Sequence, residues 1–97
     1  MKISRTVWID DKVKWSVLRK REICKKNRYK GKAYIVCTSP HPNLLFEIIE
    51  ARQLNDWYEA STMMALCQNK HQALEVVRKL IDTLYNEKTK TYEELQQ

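Results

Sequence analysis

The sequence contains few of the residues that break secondary structure. Among its 97 residues there is one glycine, Gly31, and there are two prolines, Pro40 and Pro42. The phosphate-cradling loops of P-loop and dinucleotide-binding proteins need several glycines, so both motifs are excluded. The G-x-S-x-G and H-E-x-x-H patterns of hydrolases and zinc proteases are missing as well. We therefore expect a protein that is not an enzyme and that uses no cofactor.

Cysteines and long apolar runs are also scarce. The three cysteines are widely spaced and form no C-x-x-C pair, which is typical of a reducing compartment and not of a disulfide framework. No apolar run approaches the roughly 20 residues that a membrane-spanning helix needs. The first residues lack the apolar core of a secretory leader. These features predict a cytoplasmic protein with no membrane partner.

Positive charge is concentrated at the front of the chain. Residues 1–34 contain 12 of the 18 Lys and Arg residues and three acids, a net charge of +9. Residues 35–97 contain six cations and nine acids, a net charge of −3. A basic surface on one side of a protein attracts polyanions, whereas evenly mixed charge does not.

Apolar residues alternate with polar ones in the basic half, which predicts strands. The apolar positions of the first strand are Ile3, Val7 and Ile9, and those of the second are Val13, Trp15, Val17 and Ile23. Residues 33–38 are β-branched and aromatic and predict a third strand. The second and third strands would form a hairpin around the polar connection 25–32, where Gly31 supplies a positive φ.

The acidic half contains an ambiguous segment, then a strand and a helix. Residues 44–54 fit helical spacing through Ile48 and Ile49 and strand spacing through Phe46 and Ile48, so both interpretations stay open. The apolar run 62–66 predicts a strand. A helix at about 70–86 follows, with Asn69 as its N-cap and Gln72 completing a variant of the capping box. Its apolar stripe consists of Ala73, Leu74, Val77, Leu80, Ile81 and Leu84.

These elements predict an α+β fold. Its core is a small, mostly antiparallel sheet of about four or five strands, with the C-terminal amphipathic helix packed on one face. Residues 1–87 would form the single domain. Residues 88–97, in which Thr91 and Glu94 repeat the capping pattern, would be a frayed tail or a short helical turn. We expect Trp57 and Tyr58 to fold back and cap the sheet; exposed, they would be a binding anchor.

The tip of the predicted hairpin is the candidate binding surface. Its cations can neutralise phosphates, and an exposed Tyr29 would stack on an unpaired base. The candidate nucleic-acid-binding residues are Arg19, Arg21, Lys25, Lys26, Arg28, Tyr29, Lys30 and Lys32. The simpler explanation is that lysines keep an exposed loop soluble and a sheet edge unpaired.

Two Cys–His pairs offer a lesser alternative. Cys37 and His41 have C-x-x-x-H spacing, and so do Cys67 and His71, so the four side chains could converge as a tetrahedral zinc site. Buried thiols and exposed histidines explain the same residues, and structural zinc pairs more often have C-x-x-C spacing. We therefore expect no metal site.

The function predicted from the sequence is that of a small non-catalytic cytoplasmic domain. Its basic N-terminal β-hairpin would bind nucleic acid, either RNA or DNA, or serve a regulatory accessory role. The alternative is a protein-interaction module that binds an acidic protein or pairs with itself through a sheet edge as a homodimer. Binding to nucleic acid depends on salt, whereas self-association depends on protein concentration.

Overall fold

The computed structural model describes residues 1–88 and 90–97 and has the predicted α+β fold. Its strands are β1 (Lys2–Ile9), β2 (Tyr34–Thr38), β3 (Phe46–Glu50) and β4 (Thr62–Cys67), and its helices are α1 (Val17–Lys26), α2 (Lys70–Asp82) and α3 (Tyr92–Leu95). Short 3-10 turns lie at Ala51–Gln53 and Asp56–Tyr58, and a π-helical turn, Thr83–Glu87, continues α2. Within the described residues, no helix is long and apolar enough to cross a membrane.

The four strands form one mixed sheet in the order β1-β4-β2-β3. β2 is antiparallel to both of its neighbours, β3 and β4, whereas β1 runs parallel to β4. A parallel pair cannot be joined by a tight hairpin, and here the connection between β1 and β4 contains α1, β2 and β3. β1 and β3 are therefore the two edges of the sheet.

The strand predicted over residues 13–24 is wrong, and so is the hairpin that it would form. Residues 17–26 are helical because the Oγ atom of Ser16 accepts a hydrogen bond from the Arg19 N–H and because Arg, Lys and Glu favour helix. Asn27 ends the helix with a φ of 51°. Of the four alternating apolar residues, Val13, Trp15 and Ile23 contact the core, whereas Val17 is 77% exposed on α1.

Apolar side chains cover both faces of the sheet. On one face, Ile23 of α1 packs against strand residues that include Ile35, Cys37, Met63 and Leu66. On the other face, the buried side chains are Val36, Met64, Ala65, Cys67, Ala73 and Leu95, and α2 and α3 cover them. The prediction of one helix on one face is therefore incomplete, because α1 covers the opposite face.

The start of α2 is capped as predicted, with one difference. The Oδ1 atom of Asn69 accepts from the Gln72 N–H at 2.9 Å, but the Gln72 side chain accepts from the Gln68 N–H and not from Asn69. The stripe that contacts the sheet is narrower than predicted, since Leu74 and Ile81 remain 52% and 39% exposed. The curved surface of a helix meets a sheet along one line, so the flanking apolar positions stay in solvent.

The chain after α2 returns to the domain. Thr91 and Glu94 form both hydrogen bonds of a capping box at the start of α3, and Leu95 is buried on the α2 side of the sheet. The Arg5 N–H of β1 donates to the Gln97 carbonyl at 2.6 Å. Residues 90–97 therefore contain a short helix and contact an edge strand. Of the two interpretations of residues 44–54, the strand describes β3 and a 3-10 turn follows it.

Candidate nucleic-acid interface

Tyr29 joins three segments of the basic half. Its ring is buried, its hydroxyl donates a hydrogen bond to the Lys14 carbonyl, and the Arg19 guanidinium lies 5.3 Å from the ring centroid. Arg19 also donates to the Lys30 carbonyl. The segment before α1, the first turn of α1 and the connection after α1 are therefore held together. Tyr29 is not an exposed ring at a loop tip, as the sequence predicted, but the centre of this cluster.

The environment of Tyr29 keeps its hydroxyl protonated. Burial raises the pKa of the Tyr29 phenol above its usual value, and the positive charge of Arg19 partly offsets that rise. The hydroxyl therefore stays a hydrogen-bond donor to Lys14 over the whole physiological pH range.

Gly31 allows the chain to pass close to the Tyr29 ring. Its φ is +146°, the positive value expected from the sequence, and a Cβ atom at this position would lie 3.1 Å from the Tyr29 Cε1 atom. A larger residue would be strained by its backbone conformation and would push the connection away from the ring. The lysines on either side of Gly31 keep their places because this glycine is small.

Two adjoining clefts run along this cluster, and we call them together the basic groove. The first has a volume of about 270 Å³ and is lined by Lys12, Lys14, Arg19, Tyr29, Lys30, Gly31 and Lys32. The second has a volume of about 510 Å³ and is lined by Arg28, Tyr29, Lys30, Gly31, Ala51, Arg52 and Leu54. Among the residues that the structure describes, seven cations line the groove and no Asp or Glu residue lines either cleft. Ammonium and guanidinium groups are the donors that bind phosphate oxygens.

The predicted binding residues divide into two sets. Arg19, Arg28, Lys30 and Lys32 line the groove together with Tyr29. The remaining three, Arg21, Lys25 and Lys26, are exposed on α1 and line neither cleft. Arg21 and Lys25 each lie two residues from buried Ile23, which places them on the opposite side of the helix.

The sequence did not single out three cations of the groove. Lys12 and Lys14 belong to the basic front, so its charge count included them, but nothing in their spacing placed them beside Lys30. Arg52 comes from the acidic half, and no sequence signal pointed to it. Its Nε atom lies 2.6 Å from the Glu50 carboxylate, so part of its charge is already balanced by an exposed ion pair.

The structure does not bring the four alternative zinc ligands together. Cys37 and Cys67 face opposite sides of the sheet, and His41 and His71 are exposed. Within the part of the chain that the structure describes, no three Cys, His, Asp or Glu residues are placed to hold a metal ion. Burial raises the pKa of Cys37 to about 12 and that of Cys67 to about 11, which keeps both thiols protonated.

Trp57 is exposed, which corrects the expectation that it folds back onto the sheet. Its exposed fraction is 60%, whereas its neighbour Tyr58 packs against the core as expected. The Trp57 ring contacts the His41 ring with a centroid distance of 5.3 Å and an interplanar angle of 45°. The Oδ1 atom of Asn55 accepts from the Trp57 N–H at 2.8 Å and fixes the turn that presents the ring.

Comparison of the chain with protein-family models, with curated proteins and with solved structures found no significant match. What the protein does must therefore be inferred from its own residues. The basic groove is the feature of the described surface with the clearest chemistry, because seven cations converge on a concave site. The Glu50 carboxylate, which pairs with Arg52, lines a third cleft that shares Gly31, Lys32, Ala51 and Arg52 with the groove.

Proposed function

We propose that the protein is a non-catalytic domain that binds nucleic acid through the basic groove. One observation carries the proposal: in the described part of the chain, seven cations and no acid line the two adjoining clefts. A nucleic-acid backbone presents phosphates at regular spacing, and a cation that neutralises one of them releases a condensed counterion. That release supplies the binding free energy.

Convergence of the cations distinguishes this groove from lysines that serve only solubility. Lys14, Arg19 and Lys30 come from three separate segments, and Tyr29 and Arg19 hold those segments together. Bringing like charges together costs free energy, and solubility does not require it. A bound anion would relieve this repulsion, so the arrangement favours a polyanionic ligand.

Two charge-reversal variants with the same net charge test the proposal. The first carries Lys14→Glu and Lys30→Glu in the groove. The matched control carries Arg21→Glu and Lys25→Glu on the outward side of α1, where neither residue lines a cleft. Fluorescence anisotropy with labelled single-stranded RNA, single-stranded DNA and duplex DNA, at two salt concentrations, measures affinity and its salt dependence.

We expect the groove variant to bind much more weakly and the control to stay close to the parent. The slope of log affinity against log salt is negative, and its magnitude should be smaller by roughly 1–2 in the groove variant, since each lost phosphate contact reduces that magnitude by about 0.7–0.9. Equal losses in both variants would reduce the effect to net charge and overturn the groove as the site. Absence of binding to all three nucleic acids would leave an acidic protein as the partner of the groove.

A second candidate function is self-association through β1. This strand is an edge of the sheet, and an apolar groove of about 420 Å³ lies between it and α2, lined by Trp8, Met64, Val76 and Leu80 among others. Trp8 is 47% exposed there. A second copy that paired along β1 beyond Arg5, whose N–H already donates to the Gln97 carbonyl, would cover this ring. Light scattering over a range of protein concentrations tests this self-association. Trp8→Ala should then shift the protein towards monomer, whereas the Lys14→Glu/Lys30→Glu variant of the basic groove should not.

A further inference from the structure

Trp57 lies close to one end of the basic groove. Leu54 lines the second cleft, and Trp57 follows it by three residues in the chain. The Cα atoms of these two residues can be at most about 11 Å apart, even in an extended chain. The 3-10 turn that carries Trp57 is also tied to the end of α1, since the Asn27 side chain donates to the Asp56 carboxylate at 3.1 Å. Arg28, another residue of the second cleft, is adjacent to Asn27 in the chain.

The Trp57 ring is exposed yet held in place. His41 contacts it from one side, and Asn55 caps the turn beneath it. Because this large ring is exposed to water and its turn is already ordered, stacking another aromatic group on it would be favourable. Nucleic-acid bases stack on such rings in a largely sequence-tolerant way, because every base has an aromatic face.

The charges near Trp57 determine which part of a nucleic acid can contact its ring. Asp56 and Glu59 flank it and are exposed. These carboxylates repel phosphate, so the backbone favours the cations of the groove, while an uncharged base can approach the ring. A duplex keeps its bases stacked inside and would have to flip one out at a cost in free energy. A single strand has unpaired bases to offer.

We infer that the nucleic acid bound by the basic groove is single-stranded, and that Trp57 stacks on one of its unpaired bases. This inference rests on the proposed function, since the groove must first bind the phosphate backbone. It assigns Trp57 a part in selecting single strands over duplexes, which charge alone does not supply. DNA and RNA share the chemistry that the site recognises, a base beside a phosphodiester backbone.

The test compares the parent with Trp57→Ala and with Trp57→Phe, which keeps an aromatic ring. The probes are labelled oligothymidylate, oligouridylate and a duplex DNA hairpin, measured by anisotropy at two salt concentrations. We expect Trp57→Ala to weaken binding to both single strands by about tenfold and Trp57→Phe to retain most of the affinity. The salt slope and the duplex affinity should not change, because no cation is removed. Urea unfolding should give the parental midpoint, since Trp57 is mostly exposed.

The outcomes separate this inference from the proposed function. If the parent binds single strands and Trp57→Ala binds them equally well, the stacking role is refuted and the groove stands. If the parent prefers the duplex, selection of single strands is refuted in the same way. If no probe binds to the parent, the proposed function fails and this inference fails with it. Weaker binding of oligouridylate than of oligothymidylate, with the same loss in Trp57→Ala, would support the inference. Because these probes differ in both the base methyl group and the 2′-hydroxyl, oligodeoxyuridylate then shows which of the two differences lowers the affinity.

Discussion

Ile23 is the residue whose truncation best tests how α1 packs on the sheet. It is fully buried, and it is the only buried residue of α1. The other apolar residues of this helix, Val17 and Leu18, are 77% and 64% exposed. The apolar packing of α1 on the sheet therefore depends largely on one side chain, and Ile23→Ala should loosen it.

The size of the effect follows from the atoms removed. Ile→Ala deletes three carbons from a fully buried position, worth about 2.4 kcal/mol at roughly 0.8 kcal/mol per carbon. The cavity left behind raises the cost, and measured Ile→Ala substitutions in cores fall at about 2–5 kcal/mol. Alanine favours helix over isoleucine by up to about 0.5 kcal/mol, which offsets a small part. We therefore expect a loss of about 3 kcal/mol in the free energy of unfolding.

Urea denaturation followed by far-ultraviolet circular dichroism measures this loss. With a slope of about 1.5 kcal/mol per molar urea, the midpoint should fall by about 2 M. Leu18→Ala is the matched control, because it also truncates an apolar residue of α1 but at an exposed position. It should change stability by no more than about 0.5 kcal/mol.

The two variants together can refute the structure of this segment. In the hairpin predicted from the sequence, Ile23 and Val17 would lie on the same buried side of a strand. Equal, small effects at Ile23 and Leu18 would mean that α1 does not pack on the sheet through Ile23. A third variant, Val17→Ala, separates the helix from that strand: a large loss of stability would favour the strand, because Val17 is 77% exposed on α1.

Two further predictions concern the C-terminal segment and the cysteines. Leu95→Ala should lower the free energy of unfolding by about 2–4 kcal/mol in urea denaturation, because its side chain is buried beside α2. A variant as stable as the parent would mean that residues 90–97 do not pack on the domain. A thiol reagent at pH 8 should modify one cysteine of the native protein, exposed Cys24, and all three after unfolding. Rapid modification of three thiols in the native protein would contradict the burial of Cys37 and Cys67. Burial raises the pKa values of these two thiols above 9, so their contribution to stability is complete below pH 9 and falls as pH rises towards 11 and 12.

The basic surface shows why a site is harder to predict than a class of fold. The charge count located the cations correctly in the first part of the chain, and four of the predicted cations line the groove. The hairpin on which they were placed was wrong, because Val13 and Trp15 alternate like strand residues while the cap at Ser16 starts a helix. Tyr29 was interpreted as an exposed ring because its neighbours are all polar. Its burial depends on contacts with Lys14 and Arg19, which no local pattern contains.

The sequence by itself determined the elements whose signals are local. The alternation in β1, the β-branched residues of β2, the apolar run of β4 and the capped stripe of α2 each specify an element within about ten residues, through backbone preference and periodicity. Only the tertiary structure decided that β1 pairs parallel to β4, that α1 covers the second face, and that Arg52 joins Lys12 and Lys14 in one groove. These arrangements depend on which buried surfaces meet across long separations in sequence, and that choice is made by packing of the whole chain.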